Sequence, residues 1–188
     1  MADIHGSLDP RFARMGEILS ANIDSGADVG ASVAVVHDGE LVVDIWGGWV
    51  DEAHSAPWQS DTLTNVWSST KTMMFLTLLE LADRGELSLH DPVHKYWPEF
   101  RANGKDDVIV AHLMAHTAGL SGWDRPLKPE DFYDHDLCAS ALAAQAPWWK
   151  PGSASGYHAI SQGYLIGELV RRVTGMSLGT YFKQTFAD

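Results

Sequence analysis

The 188-residue sequence has little of what several classes of protein require. It contains a single cysteine, Cys138, which excludes an intrachain disulfide framework and a zinc site built from several thiolates. Its 13 lysine and arginine residues against 25 aspartate and glutamate residues give a net charge of -12, and no basic run offsets this locally. The sequence is therefore a poor candidate for binding nucleic acid, because phosphate backbones select positive surfaces.

Long apolar stretches are also missing. No run approaches the roughly 20 residues that a membrane-spanning helix needs. Residues 1–12 lack the basic stretch followed by an apolar one that marks a secretory signal. With 45% hydrophobic and 20% charged residues, the chain has enough apolar material for one good-sized core. These observations predict a globular cytoplasmic protein that has no membrane partner.

The first third of the chain predicts a helix followed by a β-hairpin. Asp9-Pro10 is typical of a helix start, with an N-capping aspartate before proline. Residues 31–37 and 40–46 are two β-branched-rich runs on either side of Asp38-Gly39, which is the strongest short-range signal of a hairpin. Because both runs are nearly all apolar, both faces of this hairpin are predicted to be covered.

The rest of the chain is predicted to be helical. An apolar helix over residues 69–84 and a later long helix over about residues 160–173 enclose several shorter pieces. No convincing strand follows Trp49, yet an isolated two-stranded hairpin is marginal in water. Either further strands come from sequence that is not present here, or this interpretation of the middle of the chain is wrong. We favour the first explanation.

Ser68 and Lys71 stand three residues apart at the start of the helix predicted over 69–84. Residues at this spacing lie one above the other on a helix face, so the amine can approach the hydroxyl. The positive end of the helix dipole would then face developing negative charge, which favours a nucleophilic serine. However, about one S-x-x-K is expected by chance in a chain of this length. The alternative interpretation is an N-capping serine beside a solvated lysine.

Two further segments carry candidate residues. One is W-K-P-G at residues 149–152, which Tyr157-His158-Ala159 follows. The other is L-M-A-H-T-A-G-L at residues 113–120. Taken alone, the first is an aromatic-rich turn before a helix, and the second is the capped end of a helix.

Together, in this order and at these separations, the three segments resemble the serine β-lactamase-like superfamily. The most similar branch is that of class C β-lactamases, D-alanyl-D-alanine carboxypeptidases and family VIII carboxylesterases. The resemblance covers nearly the whole chain, including the N-terminal helix, the hairpin and the Trp46-Gly47-Gly48 that follows it. It implies that Ser68 is the nucleophile, that Lys71 tunes and shares its proton, and that Tyr157 is the partner base.

The resemblance also implies an α+β fold, in which an antiparallel sheet is flanked by helices. Within one domain, residues 1–86 would form the part with the nucleophile helix, residues 87–149 an inserted helical subdomain, and residues 150–188 the tyrosine motif and following helices. The family's C-terminal strand, with its K-T-G, H-x-G or W-x-G motif, is not found in its proper place. We therefore expect an incomplete domain whose missing C-terminal segment is a candidate partner. The 188-residue chain alone is predicted to be inactive or weak.

Ala159 stands where the family's Y-x-N motif has asparagine. That asparagine would bind a β-lactam or peptide carbonyl, so its loss favours a serine carboxylesterase that forms an acyl-enzyme with a small-molecule ester and needs no cofactor. The alternatives are a β-lactamase, a D-amino-acid amidase or peptidase, and a catalytically incomplete fragment or binding module. Trp123 is a candidate for lining the acyl or alcohol pocket, and ordinary packing is its alternative role.

Two pairs of histidines have a spacing that can hold zinc. His112 and His116 are four residues apart, but no H-E-x-x-H glutamate or evident third ligand accompanies them. His90 and His94 share that spacing, but Pro92 between them breaks the helical geometry. The sequence therefore predicts no metal site.

Overall fold

A three-stranded antiparallel sheet and one α-helix make up the first of two units, Met1–Asn65. The structure is a computed structural model that describes residues 1–187. Helix α1 (Ala13–Ser25) follows the first strand and a 3-10 turn at Pro10–Phe12. The strands, in the spatial order β1-β3-β2, are β1 (Ile4–Leu8), β2 (Gly30–His37) and β3 (Glu40–Gly48).

The predicted hairpin is present, and its turn shows why the Asp-Gly pair specifies it. Asp38 has a φ of 51° and Gly39 a φ of 81°, so both adopt the left-handed backbone that a two-residue hairpin turn needs. A bulge between Val35 and Val36 then shifts the pairing register within β2. The connection between β2 and β3 is therefore dictated by local sequence.

Strand β1 is the element that the sequence pattern did not predict. It pairs with β3, with Ile4 opposite Gly47. Its middle residue, Gly6, has a φ of 102°, and a Cβ there would collide with the carbonyl oxygen of Asp44. The strand is short and contains the glycine that this close approach requires, and both features weaken the β signal in the sequence.

Only one face of the sheet packs against α1. Val43 and Ile45 of β3 are buried in one cluster with Leu19 of α1. Alternate residues of β2, among them Ser32 and Val36, are exposed. Within this unit the single helix covers one face of the sheet, and the prediction that both faces of the hairpin are covered stays a prediction.

The second unit, from Val66 onward, is helical over its described part, and no strand follows Gly48 among residues up to 187. None of the described helices has the length and hydropathy for a membrane crossing. The helix that follows Ser68 belongs to the same unit as the later helices. The predicted subdivision of the domain at residues 86 and 149 stays a prediction. The α-helices are α2 (Thr70–Asp83), α3 (Val110–Met114), α4 (His135–Ala144), α5 (Ser161–Thr174) and α6 (Leu178–Phe182), with 3-10 turns at Trp67–Ser69, Val93–Lys95, Pro98–Arg101 and Pro129–Tyr133 and a π-helical turn at Lys183–Ala187.

Helix α5 lies in the core of this unit and fixes the segment that precedes it. Leu165 and Leu169 are fully buried in the main apolar cluster. Gln162 is buried too, and its side-chain amide donates to the carbonyl oxygens of Leu113 at 2.8 Å and Met114 at 3.1 Å. The N-terminal end of α5 is thereby tied to the C-terminal end of α3.

Lys105 is buried, and among residues 1–187 its ammonium contacts carbonyl oxygens rather than a carboxylate. It donates to the carbonyl oxygen of Ala102 at 2.6 Å and to that of Gln145, and it lies 5.4 Å from the centroid of the Phe100 ring. Burial lowers the pKa of Lys105 from 10.5 to about 8. The folded protein therefore holds this proton less tightly than the unfolded chain does.

We expect the free energy of unfolding to rise with pH between about 8 and 10. In this interval the unfolded chain binds more protons at Lys105 than the folded protein, so raising the pH favours the folded state. Urea unfolding followed by tryptophan fluorescence measures the slope. Lys105→Met, which keeps an unbranched apolar side chain, should lose the rise, and an equal slope in this variant would contradict the assignment.

Candidate active site

Ser68 lies on the 3-10 turn Trp67–Ser69, directly before α2, and its side chain is exposed. The residue before it, Trp67, has a φ of 46°. A left-handed backbone is uncommon for a bulky aromatic residue, and such conformations are concentrated at functional sites. The chain therefore presents Ser68 at a sharp change of direction into the helix.

Three side chains meet at the N-terminal end of α2. Tyr157 Oη donates a hydrogen bond to Ser68 Oγ over 2.6 Å, and Lys71 Nζ lies 3.4 Å from the same oxygen. Lys71 Nζ also donates to the carbonyl oxygen of Ala159 at 2.9 Å and lies 5.1 Å from the centroid of the Tyr157 ring. The structure thus brings together the three residues that the sequence predicted for the site.

The segment that carries Tyr157 is held at both ends by the segment after α3. On the N-terminal side, the N–H of Gly156 donates to the carbonyl oxygen of His116 at 3.0 Å. On the C-terminal side, Ser161 Oγ donates to the carbonyl oxygen of Leu120 at 2.6 Å. These contacts explain how the L-M-A-H-T-A-G-L segment bears on the site without supplying a side chain to Ser68.

The pKa of Tyr157 is lowered from its usual value of 10.0. The hydrogen bond with Ser68 is the main cause, and hydrogen bonding to Lys71 and the positive charge of that lysine add to it, against an opposing effect of burial. A phenol whose pKa is lowered ionises more readily toward neutral pH. It can then accept a proton from a neighbouring hydroxyl, as a general base does.

A cavity of about 350 Å³ lies beside Ser68 and Lys71. Such a volume is at the lower end of the range of small-molecule sites. Its wall is mostly apolar, and among residues 1–187 the only charged side chain in it is that of Lys71. The lining residues are Trp67, Ser68, Thr70, Lys71, Met74, Ala159, Ile160 and Gly163.

A larger cavity of about 630 Å³ lies in the same unit and shares the lining residue Gly163 with the smaller one. It is lined by residues around the start of α4, by α5 and by the segment Ser177–Gly179. Ser68 and Lys71 line only the smaller of these two cavities. Because size alone supplies no nucleophile or base, the chemistry assigns the candidate site to the smaller cavity.

Trp123 does not line the cavity beside Ser68. Its Nε1 donates to the carbonyl oxygen of Cys138 at 2.9 Å, and its ring meets those of Phe132 and Tyr164 edge-on, with centroids 5.5 Å apart in both pairs. The structure therefore places Trp123 in the packing of the helical unit. Met74 does line the cavity, and the sequence analysis did not name it. It follows Lys71 by three positions, so the helical spacing that pairs Ser68 with Lys71 could have predicted it.

Neither histidine of the H-x-x-x-H pair is oriented as a shared ligand. His112 Nδ1 accepts from the N–H of Ile109 at 3.4 Å, whereas His116 Nδ1 accepts from the N–H of His158 at 3.1 Å. Among residues 1–187, no group of three or more His, Cys, Asp and Glu side chains is arranged to hold a metal ion.

Comparisons of the sequence and of the structure with known proteins point to the same family. The sequence model of the Beta-lactamase family matches residues 18–188. A curated relative, "Esterase/beta-lactamase LipL" of Mycobacterium tuberculosis, is 39% identical over 185 residues, which make up 98% of this chain and 43% of that protein.

Solved structures agree with the sequence match. A family VIII carboxylesterase is 44% identical with a TM-score of 0.87, over 97% of this chain and 50% of the other. A penicillin-binding protein homologue from Caulobacter crescentus is 40% identical with a TM-score of 0.91, over 98% and 50%. The chain spans about half the length of the relatives that it matches. With its antiparallel sheet, its helices and this extent of similarity, the chain belongs to the Beta-lactamase family and corresponds to the N-terminal portion of its serine β-lactamase-like fold.

Proposed function

We propose that the chain carries the nucleophile-bearing part of a serine carboxylesterase, in which Ser68 attacks the carbonyl carbon of a small-molecule ester. The proposal depends on one observation, the contact of Ser68 Oγ with both Tyr157 Oη at 2.6 Å and Lys71 Nζ at 3.4 Å. A serine hydroxyl is a weak nucleophile until an adjacent base takes its proton. The esterase in the name of LipL and the carboxylesterase among the solved structures support the same chemistry.

The proposed reaction has two steps, the acylation of Ser68 and its deacylation. In acylation, Ser68 Oγ bonds to the ester carbonyl carbon while its proton passes to the ionised oxygen of Tyr157, whose charge Lys71 stabilises. The alkoxide leaves as an alcohol when Tyr157 returns that proton. In deacylation, water attacks the acyl carbon as it gives a proton to Tyr157. The bond between that carbon and Ser68 Oγ then breaks, and Tyr157 returns the proton to Oγ as the carboxylic acid is released.

The wall of the cavity favours an ester over a β-lactam. The side chain of Ala159 is a methyl group, and its carbonyl oxygen accepts the hydrogen bond from Lys71, so position 159 offers no amide to a lactam or peptide carbonyl. Trp67, Met74 and Ile160 line the same cavity and suit an ester with an apolar group. A β-lactamase is the second candidate, because the name of LipL includes that activity and the penicillin-binding protein homologue shares this fold.

We also propose that the part of the relatives that this chain does not match contributes to the complete pocket. Trp67 is 80% exposed and Ile160 57% exposed, so two apolar side chains beside Ser68 lie open to water. The resemblance to the family implies that its C-terminal strand supplies one N–H of the oxyanion hole, and in acyl transfer the loss of a single such donor lowers turnover by about 10²–10³-fold. Turnover by the 188-residue chain alone is therefore expected to be weak.

A fluorophosphonate probe together with p-nitrophenyl butyrate tests the proposed function. Peptide mapping should find the phosphonate on Ser68, and the 188-residue chain should hydrolyse the ester slowly. Fusing the unmatched remainder of LipL to the chain should raise turnover by about 10²-fold or more. Faster hydrolysis of nitrocefin than of the ester would favour the β-lactamase, and the absence of phosphonate from Ser68 would refute a serine hydrolase.

A further inference from the structure

His116 contacts the chain on both sides of Tyr157. Its carbonyl oxygen accepts from the N–H of Gly156 at 3.0 Å, and its Nδ1 accepts from the N–H of His158 at 3.1 Å. Its ring lies against the ring of Tyr157, with the centroids 4.8 Å apart. One residue therefore fixes the backbone before and after the tyrosine and supports the aromatic ring between them.

The hydrogen bonds assign the protonation of His116. Because the backbone N–H of His158 can only donate, Nδ1 of His116 carries no proton, and its imidazole is neutral with the proton on Nε2. Burial and then the positive charge of Lys71 lower the pKa of His116, which keeps this form at neutral pH. The titratable groups that face it are Lys71 of α2, Tyr157 and His158.

His158 is neutral for a related reason. Its side chain is fully buried, its Nε2 accepts from the N–H of Leu120 at 3.1 Å, and its Nδ1 lies 2.6 Å from the carbonyl oxygen of Gly156. Nδ1 therefore holds the ring proton, and burial lowers the pKa of His158. Neither imidazole places a second positive charge beside Lys71.

The backbone at His116 makes this arrangement specific. His116 has a φ of 60°, which lies in the left-handed region. Glycine reaches this region without strain, and asparagine is several-fold enriched there. Asparagine also has an acceptor oxygen at about the distance of Nδ1 from the backbone, whereas glycine has none.

We propose that His116 is a positioning residue for Tyr157, whose acceptor Nδ1 holds the backbone of the tyrosine segment so that Tyr157 Oη stays within hydrogen-bond distance of Ser68 Oγ. The effect on rate rests on the proposed function. The effect on the Tyr157 hydrogen bond does not, because that bond is a property of the folded chain.

Two substitutions of His116 separate its acceptor from its backbone conformation. In a chain labelled with ¹³C at tyrosine Cζ, NMR titration reports the ionisation of Tyr157, whose signal is the one absent from Tyr157→Phe. In His116→Gly the pKa of Tyr157 should return toward about 10, and fluorophosphonate labelling of Ser68 should slow by about 10²-fold. In His116→Asn the pKa of Tyr157 should stay at the wild-type value, and labelling should stay within about threefold of the wild-type rate.

His54→Gly is the matched control, because His54 is an exposed histidine of the first unit whose φ is 56°. It should change neither measurement. An unchanged Tyr157 titration in His116→Gly would overturn the proposal, and so would an effect in His116→Asn as large as in His116→Gly. If wild-type Ser68 takes no label but the Tyr157 titration follows the expected pattern, the proposed function fails and the positioning role stands.

A measurement on the wild-type chain tests the proposal without any substitution. Long-range ¹H–¹⁵N correlation spectra distinguish the two neutral forms of a histidine ring. The proposal requires the form of His116 that has its proton on Nε2 and an unprotonated Nδ1 at neutral pH. A proton on Nδ1 would overturn it, because that nitrogen could then accept no bond from the N–H of His158.

Discussion

Replacing Ser68 with alanine is expected to abolish fluorophosphonate labelling and to lower ester hydrolysis by about 10⁴–10⁶-fold. The reason is that the substitution removes the oxygen that Tyr157 Oη and Lys71 Nζ contact. Turnover of p-nitrophenyl esters is best measured in the chain fused to the remainder of LipL, where the signal is largest. Labelling is measured in the 188-residue chain itself.

Ser69→Ala is the matched control for this experiment. Ser69 is the next residue and the N-cap of α2, and its side chain makes no capping hydrogen bond. It has no lysine three positions later, so its loss should leave most of the activity. Equal losses in the two variants, or activity that survives without Ser68, would show that the nucleophile lies elsewhere.

Tyr157→Phe is expected to slow acylation by about 10²–10⁴-fold, the usual contribution of a general acid–base group. The change removes only the hydroxyl, and the ring keeps its neighbours His116 and Lys71, so KM should change much less than kcat. Since the pKa of Tyr157 lies below 10.0, the wild-type rate should rise with pH below that value as the phenol ionises. Phenylalanine should remove this rise.

The measurement is the pH profile of kcat/KM together with KM at a single pH. A loss smaller than about threefold, well below the effect of an acid–base group, would assign Tyr157 to structure and leave Lys71 as the only base at Ser68. A loss of rate in which the pH dependence persists would also contradict the proton-transfer role.

Sequence was sufficient where short-range geometry decides the structure. Asp38-Gly39 specifies its turn by backbone preference, and the spacing of Ser68 and Lys71 places both side chains on one turn of helix. The approach of Tyr157 to Ser68 joins residues 89 positions apart, and only the resemblance to a family indicated it. Long-range contacts of this kind leave no periodic trace in a single sequence.

Three features that the sequence pattern missed or left open have physical explanations. Strand β1 contains Gly6, which its close packing on β3 requires but which weakens a β pattern. His112 and His116 have zinc spacing only on a continuous helix, and α3 ends at Met114, so His116 takes a left-handed backbone and turns to another partner. Trp123 could not be assigned from sequence, because a tryptophan in a core and one in a pocket have the same local signature.

Gly163 of α5 borders two cavities of the helical unit. It lines both the cavity beside Ser68 and the larger one, and outside its own stretch of helix no atom lies within 4 Å of the place where a Cβ would stand. A small side chain introduced here would extend into open space rather than into the packed core. A substitution at this one position would therefore change the open space on either side of α5 and leave Ser68, Lys71 and Tyr157 in the sequence.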